Sequence, residues 1–165
     1  MIKIEDMMTR HPHTLQPSHT IEDALSLMTA HDIRHVPIVN ESYHLLGIIS
    51  QRDILKAQDS CLDQDTVSNH RPYVYPLSEI MNKNIMTVSP VAGLKESAIF
   101  MQKHKVGCLP IIDHDKLVGI ITDSDFVSIA INLLELQEEV EPDEIDPEDE
   151  TESDEIGPGE INGKI

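Results

Sequence analysis

Two short stretches of this 165-residue chain place a hydroxyl three residues ahead of a carboxylate: Ser50-Gln51-Arg52-Asp53 and Thr122-Asp123-Ser124-Asp125. Each follows a Gly-Ile-Ile run, Gly47 to Ile49 and Gly119 to Ile121. The spacing has two readings. The hydroxyl can cap a helix while the carboxylate closes a capping box. The same helix start presents free N–H groups and favours phosphate. Both can hold, because capping residues can form the floor of a cleft.

Other reactive side chains carry less. His31 and His35 are four apart, as two metal ligands on one helix would be. Pro37 and the β-branched run around it end the helix before His35, which spoils that geometry. His31 and His104 are expected in the last turns of their helices, where imidazole suits the dipole. Cys61 and Cys108 have no CxxC spacing and are too few for a disulfide framework. Cys108 lies in an apolar run and reads as a buried thiol. No nucleophile-elbow signature frames a Ser/His/Asp set, so no catalytic residue and no metal ligand is assigned.

The elements that position the two stretches occur twice. A shift of 73 residues aligns Met8 with Met81, Thr14 with Thr87, Pro17 with Pro90, Met28 with Met101, His31 with His104, Pro37 with Pro110 and Ile38 with Ile111. After one deletion, Leu45, Gly47, Ile48, Ile49 and Asp53 meet Leu117, Gly119, Ile120, Ile121 and Asp125. The deletion falls among polar residues between apolar runs, which read as a hairpin loop. In each repeat an extended segment at Thr14 or Thr87 precedes an amphipathic helix, with Ile21, Ala24, Leu25 and Met28 on one stripe. Thr20 and Asp23 are its expected cap. Two β-branched runs then suit strands buried on both faces, and a second helix starts near Asp53 or Asp125. The expected order is β-α-β-β-α, twice, an α/β (α+β) architecture. The first repeat is expected over 1–58, where its last helix fades near Gln58. A linker with Pro72 and Pro76 spans 59–77, and the second repeat spans 78–136.

Composition sets the outer limits. Hydrophobic residues are 39% of the chain with Trp absent, enough aliphatic material for a core. Net charge is −18, and 14 acids with one lysine fall in residues 135–165. That tail, 137–165, is expected to be disordered. Phosphate contacts to nucleic acid need clustered bases, so nucleic acid is not an expected partner. No apolar run approaches a membrane span, and the first residues carry acids where a signal peptide would be apolar. A soluble cytoplasmic protein is expected, without a membrane partner.

Together these features resemble a tandem cystathionine-β-synthase (CBS) domain pair, or Bateman module. Met8-Thr9, Thr14, Val36-Pro37-Ile38-Val39 and Leu46 through Asp53 carry the likeness in the first repeat. Met81, Thr87, Leu109-Pro110-Ile111-Ile112 and Val118 through Asp125 carry it in the second. The arrangement is similar to stand-alone CBS-pair proteins associated with acetoin utilisation. The resemblance implies pseudo-twofold symmetry, two clefts, a homodimer, and regulation of an unknown downstream protein rather than catalysis. It further implies no cofactor but a regulatory adenosyl ligand: AMP, ADP, ATP or S-adenosylmethionine. By the same resemblance, Ser50 and Thr122 face phosphate or ribose, and Asp53 and Asp125 accept from ribose hydroxyls. Thr14 and Thr87 stand near the cleft mouths, and Val36-Pro37 and Leu109-Pro110 line an adenine slot.

The two repeats differ in charge. Arg34, His35 and Arg52 belong to the first, against Gly107, Cys108 and Asp123 in the second. The first cleft is therefore the expected phosphate site. The second, where Asp123 and Asp125 repel phosphate unless a base reaches over, is expected empty or suited to an adenosyl sulfonium. A structural dimerisation or adaptor module with degenerate clefts is the alternative, and an acetoin-catabolising enzyme a more distant one.

Overall fold

A computed structural model describes residues 1–62 and 74–138. Most of the expected linker and the acidic tail from residue 139 lie outside the described residues. The chain divides into two units, Met1–Ala130 and Ile131–Ile165, and the first holds both repeats.

After a 3-10 turn at Ile4–Asp6, the order is β1 (Thr9–Arg10), α1 (Ile21–His31), β2 (His35–Val39), β3 (Leu45–Ser50) and α2 (Gln51–Leu62). Then come α3 (Leu77–Ile80), α4 (Leu94–His104), β4 (Cys108–Asp113), β5 (Lys116–Thr122) and α5 (Asp123–Glu138). Each repeat has the expected β-α-β-β-α order: Leu15 bridges Ile38 in parallel, and Val88 bridges Ile111 likewise. Helix α1 starts as its residues predict. Thr20 accepts the Asp23 N–H while the Asp23 carboxylate accepts the Thr20 N–H at 2.8 Å. One expectation fails: α2 does not fade at Gln58 but continues to Leu62. Asp59 and Ser60 are weak helix formers, yet no Gly or Pro stands there to stop it.

The strand runs are buried on both faces, and alternation assigns each face. Val36, Ile38, Ile49 and Ile54 join Ile21, Ala24 and Met28 of α1 in one core. Leu109, Ile111 and Ile121 join Leu94 and Met101 of α4 in the other. On the opposite faces Ile48, Cys108 and Ile120 form a third cluster that joins the repeats. The hairpin that absorbs the deletion is a five-residue loop, Asn40–His44, in the first repeat. In the second it is a two-residue turn at His114 and Asp115 with φ of 48° and 64°, the paired positive φ of a tight hairpin.

The opening segments are exchanged. Ile4, wholly buried, sits in the second repeat's core. The Ile4 N–H donates to Ala92 at 2.9 Å, and β1 pairs antiparallel with β5. Leu77, also wholly buried, sits in the first repeat's core, and Asn82 bridges Ile48 of β3. Each repeat is closed by residues that precede the other.

Candidate functional site

Both hydroxyl–carboxylate stretches form the turn from strand to helix, with the hydroxyl and carboxylate residues half-buried and the two residues between them exposed. Asp53 Oδ2 accepts the Ser50 N–H at 2.9 Å and the Ser50 hydroxyl at 2.6 Å, while Ser50 Oγ accepts the Asp53 N–H at 3.2 Å. Asp125 Oδ2 takes the same bonds from Thr122 at 2.7 and 2.8 Å, and Thr122 Oγ1 accepts the Asp125 N–H at 3.4 Å. These are capping boxes. All of the carboxylate bonds fall on Oδ2, and Oδ1 takes none of them.

Strand register brings the residues before each proline to these corners. His35 pairs with Ser50 and Cys108 with Thr122. Gln51 donates its N–H to the Arg34 carbonyl at 2.9 Å, and Asp123 to the Gly107 carbonyl at 3.0 Å. The corners also meet across the repeats. A methyl group built on Gly107 would stand 3.0 Å from His35 Nε2 and 3.7 Å from Asp123 Oδ2. The His35 ring of one repeat therefore lies against Gly107 of the other.

Electrostatics report the same convergence. Burial holds the His35 imidazole below its ordinary range; Asp123 and then Asp53 pull it back up, while Arg34 and Arg52 push it down. Burial, reinforced by Asp123 and Asp53, pushes the Cys108 thiol up to about 12, so it stays neutral and unreactive. Asp123 thus stands beside a base from the first repeat. Arg34 and Arg52 are exposed, and among the described residues neither guanidinium is within ion-pair distance of a carboxylate.

Other expected site residues fall elsewhere. Val36 and Leu109 have no exposed surface, and Pro37 and Pro110 have less than 2%. One face of each strand meets its helix and the other meets the opposite repeat, so these four side chains are packed behind the corners. Thr87 is exposed. Thr14 lines a cavity of about 380 Å³ with His11, Tyr43 and Lys116, and a second of about 300 Å³ with His19 and Asn40. Neither cavity reaches Ser50, Asp53, Thr122 or Asp125. Sequence reasoning missed Tyr43 and Lys116, which no repeated motif marks. Among the described residues no three His, Cys, Asp or Glu side chains group as a metal site would require. No helix among them is long and apolar enough to cross a membrane.

The CBS domain model matches twice, over residues 4–60 and 77–132. The chain belongs to the CBS domain family. It is 31% identical over 132 residues to the CBS domain-containing protein YhcV of Bacillus subtilis, covering 80% of this chain and 86% of that one. It is 33% identical over 115 residues to a homoserine O-acetyltransferase of Methanococcus vannielii, covering 70% of this chain but only 22% of the enzyme. The match to that enzyme is to a small part of a longer protein. Among solved structures, a Vibrio cholerae protein described as an acetoin utilization protein (AcuB) is 63% identical, with TM-score 0.76, over 84% of this chain and 98% of that one. CBSX2 in complex with AMP is 26% identical, with TM-score 0.68, covering 81% and 99%. The CBS domain pair of protein MJ0100, in complex with 5′-methylthioadenosine and S-adenosylmethionine, is 28% identical, with TM-score 0.69, covering 81% and 98%. The chain is thus a tandem CBS pair.

Proposed function

We propose that this CBS pair is a non-enzymatic regulatory module that binds an adenosyl ligand (AMP, ADP, ATP or S-adenosylmethionine) at the corners between its repeats. The observation that carries this reading is the convergence of two helix-start corners on His35 and Cys108, each corner keeping a carboxylate oxygen outside its capping box. Such corners offer N–H groups to phosphate and a free acceptor to ribose hydroxyls. The complexes of CBSX2 and MJ0100 with adenosyl compounds support the ligand class.

Arg34 and Arg52, exposed and unpaired with carboxylates, make Ser50–Asp53 the better phosphate corner. Thr122–Asp125, with Asp123 in it, suits a less anionic ligand such as an adenosyl sulfonium. Thr14 and Thr87 are the residues we assign to the cleft mouths. Ligand bridging a cleft favours one arrangement of the repeats, and a downstream protein reads that arrangement. A second copy of the chain is the cover we assign to Val127, Ile131, Leu133, Leu134 and Leu136, all exposed on α5, giving a homodimer. The likeness to the Vibrio cholerae protein supports a role connected with acetoin utilisation, and we place that role in the cytoplasm.

A second reading, an adaptor with degenerate clefts, is favoured by the full burial of Val36-Pro37 and Leu109-Pro110. Thermal unfolding with each adenosyl compound separates the two. A ligand at 100 times its Kd adds about 2.7 kcal/mol of stability; an adaptor gains nothing. Loss of nucleotide binding in Thr122→Ala, with Arg52→Ala unaffected, would reverse the assignment of corners.

A further inference from the structure

The His35 side chain reaches from its own repeat to the other's corner. Its ring fills the space beside Gly107, which has no side chain, and stands near Asp123 at the start of α5. Every charged group that bears on it is part of the two corners. Arg34 precedes it on the chain, Arg52 and Asp53 face it from α2, and Asp123 faces it from α5. The Cys108 thiol on β4 contributes no charge, since it is held neutral. The surroundings therefore carry two cationic and two anionic groups, with a half-buried imidazole between them.

In this balance an arriving phosphate decides the outcome. It brings negative charge to Arg34 and Arg52 and cancels the two cations that oppose protonation of His35. Asp53 and Asp123 then act on the ring with burial alone opposing them. An imidazolium at this point stands between the two corners, so its charge favours an anionic ligand over an uncharged nucleoside. Resting on the adenosyl-ligand reading above, we propose that His35 is the specificity-determining residue of this CBS pair. It takes up a proton from solvent as a phosphate-bearing adenosyl ligand binds, so that selection for phosphate over the bare nucleoside tightens as pH falls.

The linkage is reciprocal: if phosphate raises the affinity of His35 for a proton, protonation raises the affinity for phosphate by the same factor. Burial keeps the unliganded ring neutral near pH 7. Each unit by which bound phosphate raises it is worth up to about tenfold in affinity once the pH lies below the free value.

The test is calorimetric titration of the full chain and of His35→Gln with AMP and with adenosine, between pH 8.0 and 5.5, in buffers of different ionisation heat. The second ionisation of AMP itself falls in this range, but it is common to both chains and drops out of their ratio. The expected result is an AMP affinity ratio of native chain to variant that grows several-fold as pH falls. Native-chain proton uptake should exceed that of His35→Gln, and adenosine should show no such trend. Equal pH profiles in the two chains, with AMP still bound, would overturn the role of His35 and leave the adenosyl reading standing. No binding of AMP, ADP or ATP at any pH would overturn the phosphate reading and this inference together. Should His35→Gln not fold, the His35 imidazole of the native chain is titrated by NMR with and without AMP. A rise in its pKa on binding supports the coupling, and an unchanged value refutes it.

Discussion

His35 of the first repeat packs against Gly107 of the second so closely that a Cβ at position 107 would lie 3.0 Å from its Nε2 and 3.2 Å from its Cε1. The glycine matters here through space and not through backbone angle, since no glycine among the described residues has positive φ. Gly107→Ala should displace the ring and cost about 1–3 kcal/mol, as overpacking does. Urea unfolding would read this as a lower midpoint with unchanged slope.

Two other glycines hold the exchanged segments. A Cβ on Gly119 would collide with the Met8 side chain and stand 3.1 Å from the Thr9 carbonyl oxygen. A Cβ on Gly47 would collide with Met81, reaching its Cβ at 3.0 Å. Either alanine substitution should lower stability by about 1–3 kcal/mol. Gly119→Ala combined with Met8→Ala should recover part of the loss, because the pair shares one space; thermal unfolding of the double variant checks it.

Ile4 and Leu77 are wholly buried in the core of the repeat that does not contain them. Ile4→Ala is expected to cost about 2–5 kcal/mol. Hydrogen exchange should show the loss in α4 and β4 of the second repeat rather than in α1 and β2. Faster exchange confined to the first repeat would contradict the exchanged arrangement.

Acid should weaken the unliganded fold in a defined window. Burial lowers the folded His35 pKa below its ordinary 6.5, so the unfolded chain binds that proton first as pH falls. The contribution is full above about 6.5 and is lost as pH drops from there through the lower folded value. In His35→Gln, Tm should vary less over that range. Thr20 backbone and side-chain hydrogen bonds lower Asp23 from 3.8. Its contribution is therefore present above that value and lost as pH falls through the folded one.

The repeat and its element order could be read because the same residues recur at one offset, and recurrence survives tertiary context. The corners could be read for a related reason: Ser50 with Asp53 and Thr122 with Asp125 are local pairs three residues apart. The exchange was hidden. Gly47 and Gly119, Met8 and Met81, Ile4 and Leu77 all stand at matched positions, but a match says nothing of which copy packs on which. The full burial of Val36-Pro37 and Leu109-Pro110 was out of reach, because a β-branched run looks alike whether its second face meets ligand or another sheet. The apposition of His35 with Asp123 was also out of reach, since the residues lie far apart in sequence and meet only when the repeats pack.

The most direct test of the adenosyl account is a calorimetric titration of AMP into the full chain and into Arg52→Ala, whose exposed guanidinium lies outside both capping boxes. Saturable binding is predicted for the native chain. Losing a charge-assisted bond worth about 1.5–3 kcal/mol should weaken it tenfold or more in the variant. A folded native chain that takes up neither AMP, ADP, ATP nor S-adenosylmethionine would contradict the account and leave an adaptor.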